Sequence, residues 1–168
     1  MDDSAALQHI ASQYRAALAM LKQAIQTCPE DLWLSTGCHN RFWHIAYHAL
    51  FYTHLYAHRC EADFRPWTRH KPDSQFLGPR PWAPNEARVI PQPYSKEDVL
   101  EFCEFCCAEV DVRVPADRLD AESGFYWLPF NRLELHFYNI RHIQHHQGQL
   151  ADRLRNAAHI GVPWVRMG

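Results

Sequence analysis

Three histidines fall within five residues of the segment NIRHIQHHQGQL, at His142, His145 and His146, and a further pair, His44 and His48, stands in RFWHIAYHALFYTH. On a helix of 3.6 residues per turn, residues four apart leave the axis about 40° from one another and one turn along. His142 and His146 therefore share a face, as do His44 and His48. Two helices of a bundle can aim such pairs at one internal point, where imidazole lone pairs suit Zn, Ni, Cu or Fe. Three protein ligands would leave a fourth position open to water or substrate. Neutral ligands cancel none of the ion's charge, so a bound water or thiol would be strongly acidified.

The plainer alternative is that these histidines merely pack or face solvent. The clustering argues against it: of twelve histidines, eight lie in residues 44–58 and 136–146. Buried side by side, each would need a hydrogen-bond partner or a shared cation, because an unsatisfied buried polar group costs about 1–3 kcal/mol. Spacing alone does not choose the ligands. His44, His48, His54 and His58 all fall within roughly a third of a helix circumference, and His145 lies about 60° to one side of His142. Asn139 and Gln149 are candidates to orient ligand rings, with solvent the simpler destination for Gln149. Tyr47, Phe51 and Tyr138 either line a pocket or belong to the core. Neither histidine pair encloses a carboxylate, and Glu134 points roughly 80° away from His142, which weakens a hydrolytic reading. A cysteine motif, CEFCC at 103–107, has no second Cys-x-x-Cys to complete a zinc site and reads as small buried hydrophobes.

Four helical patterns position these residues. From Asp3 to Cys28, apolar residues recur at Leu7, Ile10, Tyr14, Ala17 or Leu18, Leu21, Ile25 and Cys28 in steps of three and four, and Pro29 closes the run. A turn through EDLWLSTGCHN leads to a second helix over about 41–59, apolar almost all round, with Asn40 as its candidate cap. Seven of the eleven prolines lie in residues 61–94, which can sustain neither a helix nor a central strand. That segment reads as a long loop packed on the body through Trp67, Phe76 and Trp82, and loops of this length are often functional lids. Ser95 and Asp98 form a candidate capping box for a third helix to about Val112, striped by Val99, Phe102, Cys103, Cys106 and Val110. The longest pattern runs from near Phe130 to about Ala157, before Gly161 and Pro163.

This predicts an all-α four-helix bundle, residues 1–168 forming a single domain, with the long proline-rich loop between helices 2 and 3. The charge balance, 17 basic against 19 acidic residues, offers no basic stripe for nucleic acid. The start MDDSAALQHI lacks the basic and apolar regions of a secretory signal, and no window approaches the ~18 apolar residues of a membrane span. A soluble, cytoplasmic protein with mostly reduced, buried cysteines is the expectation.

FWHIAYHALFYTHLY and NIRHIQHHQGQL together resemble the DinB-like superfamily, which includes YfiT-like metal-dependent hydrolases and thiol-dependent S-transferases. The first looks like that family's second-helix histidine segment; the second, more specific, looks like its last-helix pattern of His, three residues, His and a Gly-Gln pair. The resemblance implies an up-down-down-up bundle, a homodimer, and one Zn or Ni ion, with Fe or Mn as further options, on His48, His142 and His146. It implies a small electrophilic substrate, and in the transferase branch a low-molecular-weight thiol as cosubstrate. The proline-rich insertion and the extra His44, His54 and His145 depart from the common pattern. The rival function class is a non-catalytic metal-binding or interaction bundle.

Overall fold

The computed structural model describes residues 3–87 and 89–168, and among them every named element is helical. They are the α-helices α1 (Asp3–Thr27), α2 (Glu30–Leu34), α3 (Phe42–Ala57), α4 (Lys96–Arg113) and α5 (Arg132–Ala158), and two 3-10 turns at Glu61–Asp63 and Val114–Ala116. The four long helices match the four sequence patterns. The expected turn after Pro29 instead contains α2, a helix of five residues. It is too short to show periodicity, and its Trp33 is its one buried residue, wedged against Phe42.

Helix ends follow the local chemistry. Ser95 Oγ accepts the Asp98 N–H at 3.1 Å to start α4, and Asn131 Oδ1 accepts the Glu134 N–H at 3.0 Å to start α5. The cap of α3 is Arg41 rather than Asn40, and it makes no side-chain cap bond. At the far end of α5, His159 adopts φ 57 and closes the last turn through its N–H to the Leu154 carbonyl.

α1 borders α4 and α5, and α3 borders the same two helices, so α1 and α3 lie diagonally across the bundle. The periodic residues of α1 and the stripe Val99, Phe102, Cys103, Cys106 and Val110 of α4 are buried in one continuous core. α3 is buried nearly all round, as its uniformly apolar sequence requires. Of the cysteines, Cys28, Cys103 and Cys106 are buried, whereas Cys38 is exposed and Cys60 and Cys107 are half-buried; all six are free thiols. The expectation of mostly buried thiols thus holds for only three.

Among its described residues the proline-rich connection contains one turn of 3-10 helix at Glu61–Asp63 and otherwise runs as turns, bends and irregular chain. It is pinned at both ends. Trp67 stacks on Phe102 at 4.8 Å, and buried Tyr94 stacks on Tyr47 at 4.4 Å. Tyr94 donates its hydroxyl to the Arg69 carbonyl at 2.8 Å and accepts the Lys71 N–H at 2.6 Å. The expectation that Trp82 also packs on the body fails: it is 71 % exposed and touches Phe76, within the connection itself.

Beyond α4, a buried ionic network ties the chain back to α5. Arg132 reaches Asp117 Oδ2 through Nε at 2.7 Å and Nη2 at 2.6 Å, and His136 Nε2 lies 3.0 Å from the same oxygen. Arg132 also donates to the carbonyls of His58 and Ser123, at 2.8 and 3.2 Å. Its fork therefore fastens the end of α3 to the loop before α5.

Candidate metal centre

α3 and α5 pack side by side, and their seam brings His48, His142 and His146 together. One ligand atom from each lies within 4.8 Å of the other two. His142 Nε2 stands 3.1 Å from His48 Nε2 and 3.1 Å from His146 Nε2. Bonds of about 2.0–2.1 Å at tetrahedral angles would put neighbouring nitrogens about 3.3–3.4 Å apart. His142 Nε2 thus stands near ligand spacing from both of its neighbours, and the group lies within the 4.8 Å span that one divalent ion could bridge. Stripe neighbours Leu135, Ile143 and Leu150 are fully buried and fix the rotation of α5 that turns the two histidines inward.

The outer nitrogens decide which way the lone pairs point. His48 Nδ1 lies 2.6 Å from the Gln75 carbonyl oxygen, which can only accept. His48 therefore carries its proton on Nδ1 and presents a lone pair at Nε2. His146 does the same, with Nδ1 2.9 Å from Gln149 Oε1. The Gln149 amide is oriented by a second contact, its Nε2 lying 3.3 Å from His145 Nε2. Two Nε2 lone pairs thus face His142 Nε2, which has one proton at most to share between them. His142 Nδ1 is buried without a hydrogen-bond partner among the described residues.

Electrostatics keeps the cluster uncharged. Burial, reinforced by His146 and His142, holds the His48 imidazole well below its ordinary pKa. Burial, with His146 and His145 beside it, lowers His142 to about 3. His146 is also lowered by burial, against the opposing hydrogen bond to Gln149. All three rings are neutral bases at physiological pH, the form that binds a cation. His48 and His142 remain half-buried, so the cup opens to one side rather than lying sealed in the core.

The other sequence candidates separate from this group. His44 is fully buried and stacked on Trp43 at 4.7 Å. His145 is exposed; it packs edge-on against the His146 ring at 4.9 Å and contacts Gln149, but it does not belong to the metal-holding group. His54 and His58 belong to a different cluster, with Glu109 of α4. Asn139 orients no ligand: its Nδ2 donates to the Thr53 carbonyl at 3.3 Å, joining α5 to α3. Gln149, a candidate ring-orienting residue with solvent as its simpler destination, holds His146. Glu134 is exposed at the start of α5 and takes no part in the cluster. Tyr47 and Phe51 are core residues, packed with Tyr94 and Phe64 respectively.

Two residues of the site had no separate signal in the sequence. Tyr52 packs its ring 4.8 Å from His48 and 5.5 Å from His142, edge-on to the latter. One turn after His48 on α3, it could have been found by asking which side chain shares the ligand's face. Gln75 acts through its backbone carbonyl, which no residue type announces.

No family model, curated protein or solved structure matches this chain.

Proposed function

We propose that the chain is a DinB-like metal-dependent enzyme in which His48, His142 and His146 hold one divalent ion. Zn or Ni suits an all-imidazole cup best, with Fe or Mn as further options. The reaction is transfer of a low-molecular-weight thiol to a small electrophile, or hydrolysis of that electrophile. The observation that carries the reading is the tautomer lock: Gln75 and Gln149 take the Nδ1 protons of His48 and His146, leaving their Nε2 lone pairs converged on His142 Nε2. A helical bundle with a long connection between α3 and α4 agrees with the up-down-down-up topology of that superfamily. A cytoplasmic homodimer belongs to the same reading.

A divalent ion in this cup would acidify a water or thiol in its open position. The rest of the work falls to the chain. Gln75 and Gln149 hold the rings against rotation. Tyr52, whose hydroxyl is pushed up to about 12 by burial and by Tyr138, keeps its proton and offers a neutral donor beside the cup. Among the described residues no carboxylate joins the three histidines in the metal-holding group, which favours the transferase over the hydrolase, since thiol transfer needs no general base once the thiol is ionised.

Metal analysis of the purified protein, combined with thiol conjugation to a chlorodinitrobenzene or an epoxide, tests this. His48→Ala, His142→Ala and His146→Ala should each remove one equivalent of metal and abolish conjugation. A wild type free of Zn, Ni, Fe and Mn after metal-replete expression would sink the reading, as would conjugation at equal rates in wild type and His48→Ala.

A further inference from the structure

The geometry points to a second divalent-cation site, separate from the three-histidine cup, formed by His54 of α3, His58 just past its end and Glu109 of α4. One ligand atom from each lies within 4.8 Å of the other two. The site is on the opposite seam of α3. His48 faces α5, whereas His54, six residues on and so about 120° away in the opposite sense around the axis, faces α4.

Burial makes this cluster hard to explain as packing. His54 is 2 % exposed and His58 3 %. His54 Nδ1 has no hydrogen-bond partner among the described residues, and its Nε2 stands 3.7 Å from Glu109 Oε2, beyond hydrogen-bond reach. The surroundings are apolar rings: Phe64, Phe102 and Phe105 approach His54 edge-on at 5.0, 6.1 and 4.9 Å. A leucine would fill such a box with no polar group to satisfy. An imidazole there loses hydration on both nitrogens unless something accepts a lone pair.

His58 is oriented as a ligand would be. Its Nδ1 lies 2.9 Å from the His54 carbonyl, which can only accept, so the proton sits on Nδ1 and Nε2 is the free base. The two histidines repeat the four-residue spacing of His142 and His146, and their ring centroids are 4.7 Å apart. Glu109 adds the charge that the first cup lacks. Two imidazoles and one carboxylate form a donor set suited to zinc and to other borderline divalent ions.

Arg113 is the opposing feature. Its Nε donates to Glu109 Oε2 at 2.5 Å, which fixes the carboxylate in place while setting a positive charge beside the site. A carboxylate has lone pairs for both partners, so Arg113 weakens this site without blocking it. The second site is therefore the weaker of the two.

Zinc binding to the full-length protein, measured by titration with a chromophoric competitor and by metal content after dialysis, separates the two sites. The wild type should bind a tight and a weaker equivalent. His54→Leu, His58→Leu and Glu109→Gln should each lose the weaker equivalent and keep the tight one, while His142→Ala should do the reverse. Arg113→Gln should tighten the weaker equivalent about tenfold by removing a like charge. Helical circular dichroism unchanged in Glu109→Gln shows that its loss of metal is not unfolding. A single equivalent in the wild type, or a second one indifferent to both His54→Leu and Glu109→Gln, overturns the proposal and leaves the three-histidine reading untouched. Loss of only the equivalent that His142→Ala removes tests that other reading in the same experiment.

Discussion

His48 on α3 donates its Nδ1 proton to the backbone carbonyl of Gln75, 2.6 Å away in the proline-rich connection. A half-buried histidine on the α3–α5 seam thus takes its tautomer from a segment 27 residues further along the chain. The connection is a structural part of the cup as well as a covering of α4.

The turn that presents Gln75 is braced by a bidentate pair, Arg80 Nε and Nη2 donating to Asp73 Oδ1 and Oδ2 at 2.9 and 2.6 Å. Asp73 holds a left-handed φ of 66, which this brace helps to maintain. Arg80→Ala should loosen the carbonyl and lower metal affinity about tenfold while leaving the far-ultraviolet circular dichroism unchanged. Affinity equal to wild type would show that Gln75 does not orient His48 in solution.

Gln149 performs the matching task for His146. Gln149→Leu keeps the volume and removes the acceptor, so metal affinity should drop about 10–100-fold. Gln149→Glu restores an acceptor for the Nδ1 proton and should recover most of the loss. If leucine binds metal as tightly as glutamine, the contact is incidental.

Tyr52 offers a test that leaves the metal in place. Tyr52→Phe retains the ring packed against His48 and His142 and removes only the hydroxyl. Metal content should be unchanged while kcat for thiol conjugation falls, by about 10–100-fold if the hydroxyl donates to the reacting group. An unchanged kcat would assign Tyr52 to packing alone.

The helices were legible because their cores are periodic: Leu7, Ile10, Tyr14, Leu21 and Ile25 of α1 can be counted out in the sequence and are all buried. α2 was not, since five residues carry no period and Pro29 reads as a stop. The convergence of His142 with His146 was legible from spacing, whereas the choice among His44, His48, His54 and His58 was not. Their spread over a third of the helix puts His48 toward α5 and His54 toward α4, and only the packing of three helices resolves which is which. Gln75 was beyond reach in principle, because a carbonyl acceptor has no side-chain signature. Trp82 misled in the other direction: large aromatic residues are usually buried, and this one stands in solvent.

Gly124 sits at φ 82 in the loop before α5, and a Cβ there would run into the Arg59 carbonyl. The neighbouring Ser123 donates its hydroxyl to the Leu128 carbonyl at 2.7 Å, and its own carbonyl accepts from Arg132. Gly124→Ala meets both a strained backbone and a clash, so it should cost about 2–4 kcal/mol. For a chain of this size that lowers the melting temperature by roughly 5–15 °C. A melting temperature within a degree of wild type would show that the loop relaxes freely.

The ionic network around Asp117 sets the response to acid. Burial alone would raise its carboxyl pKa, but the contacts from His136 and Arg132 outweigh burial and hold it at about 2. In the unfolded chain the value returns to about 3.9. The folded state therefore prefers the ionised form. Its contribution, on the order of 2 kcal/mol, is complete above about pH 4 and is lost as pH falls through about 2. Asp117→Asn removes that dependence and also leaves buried Arg132 without its counter-charge, at a cost of about 3–5 kcal/mol at neutral pH. Urea unfolding of both proteins from pH 7 to pH 2 measures the difference. The gap between wild type and Asp117→Asn should be constant down to about pH 4 and then narrow. A gap that stays constant to pH 2 would mean that Asp117 titrates alike in the folded and unfolded chain, and that the network contributes packing rather than charge.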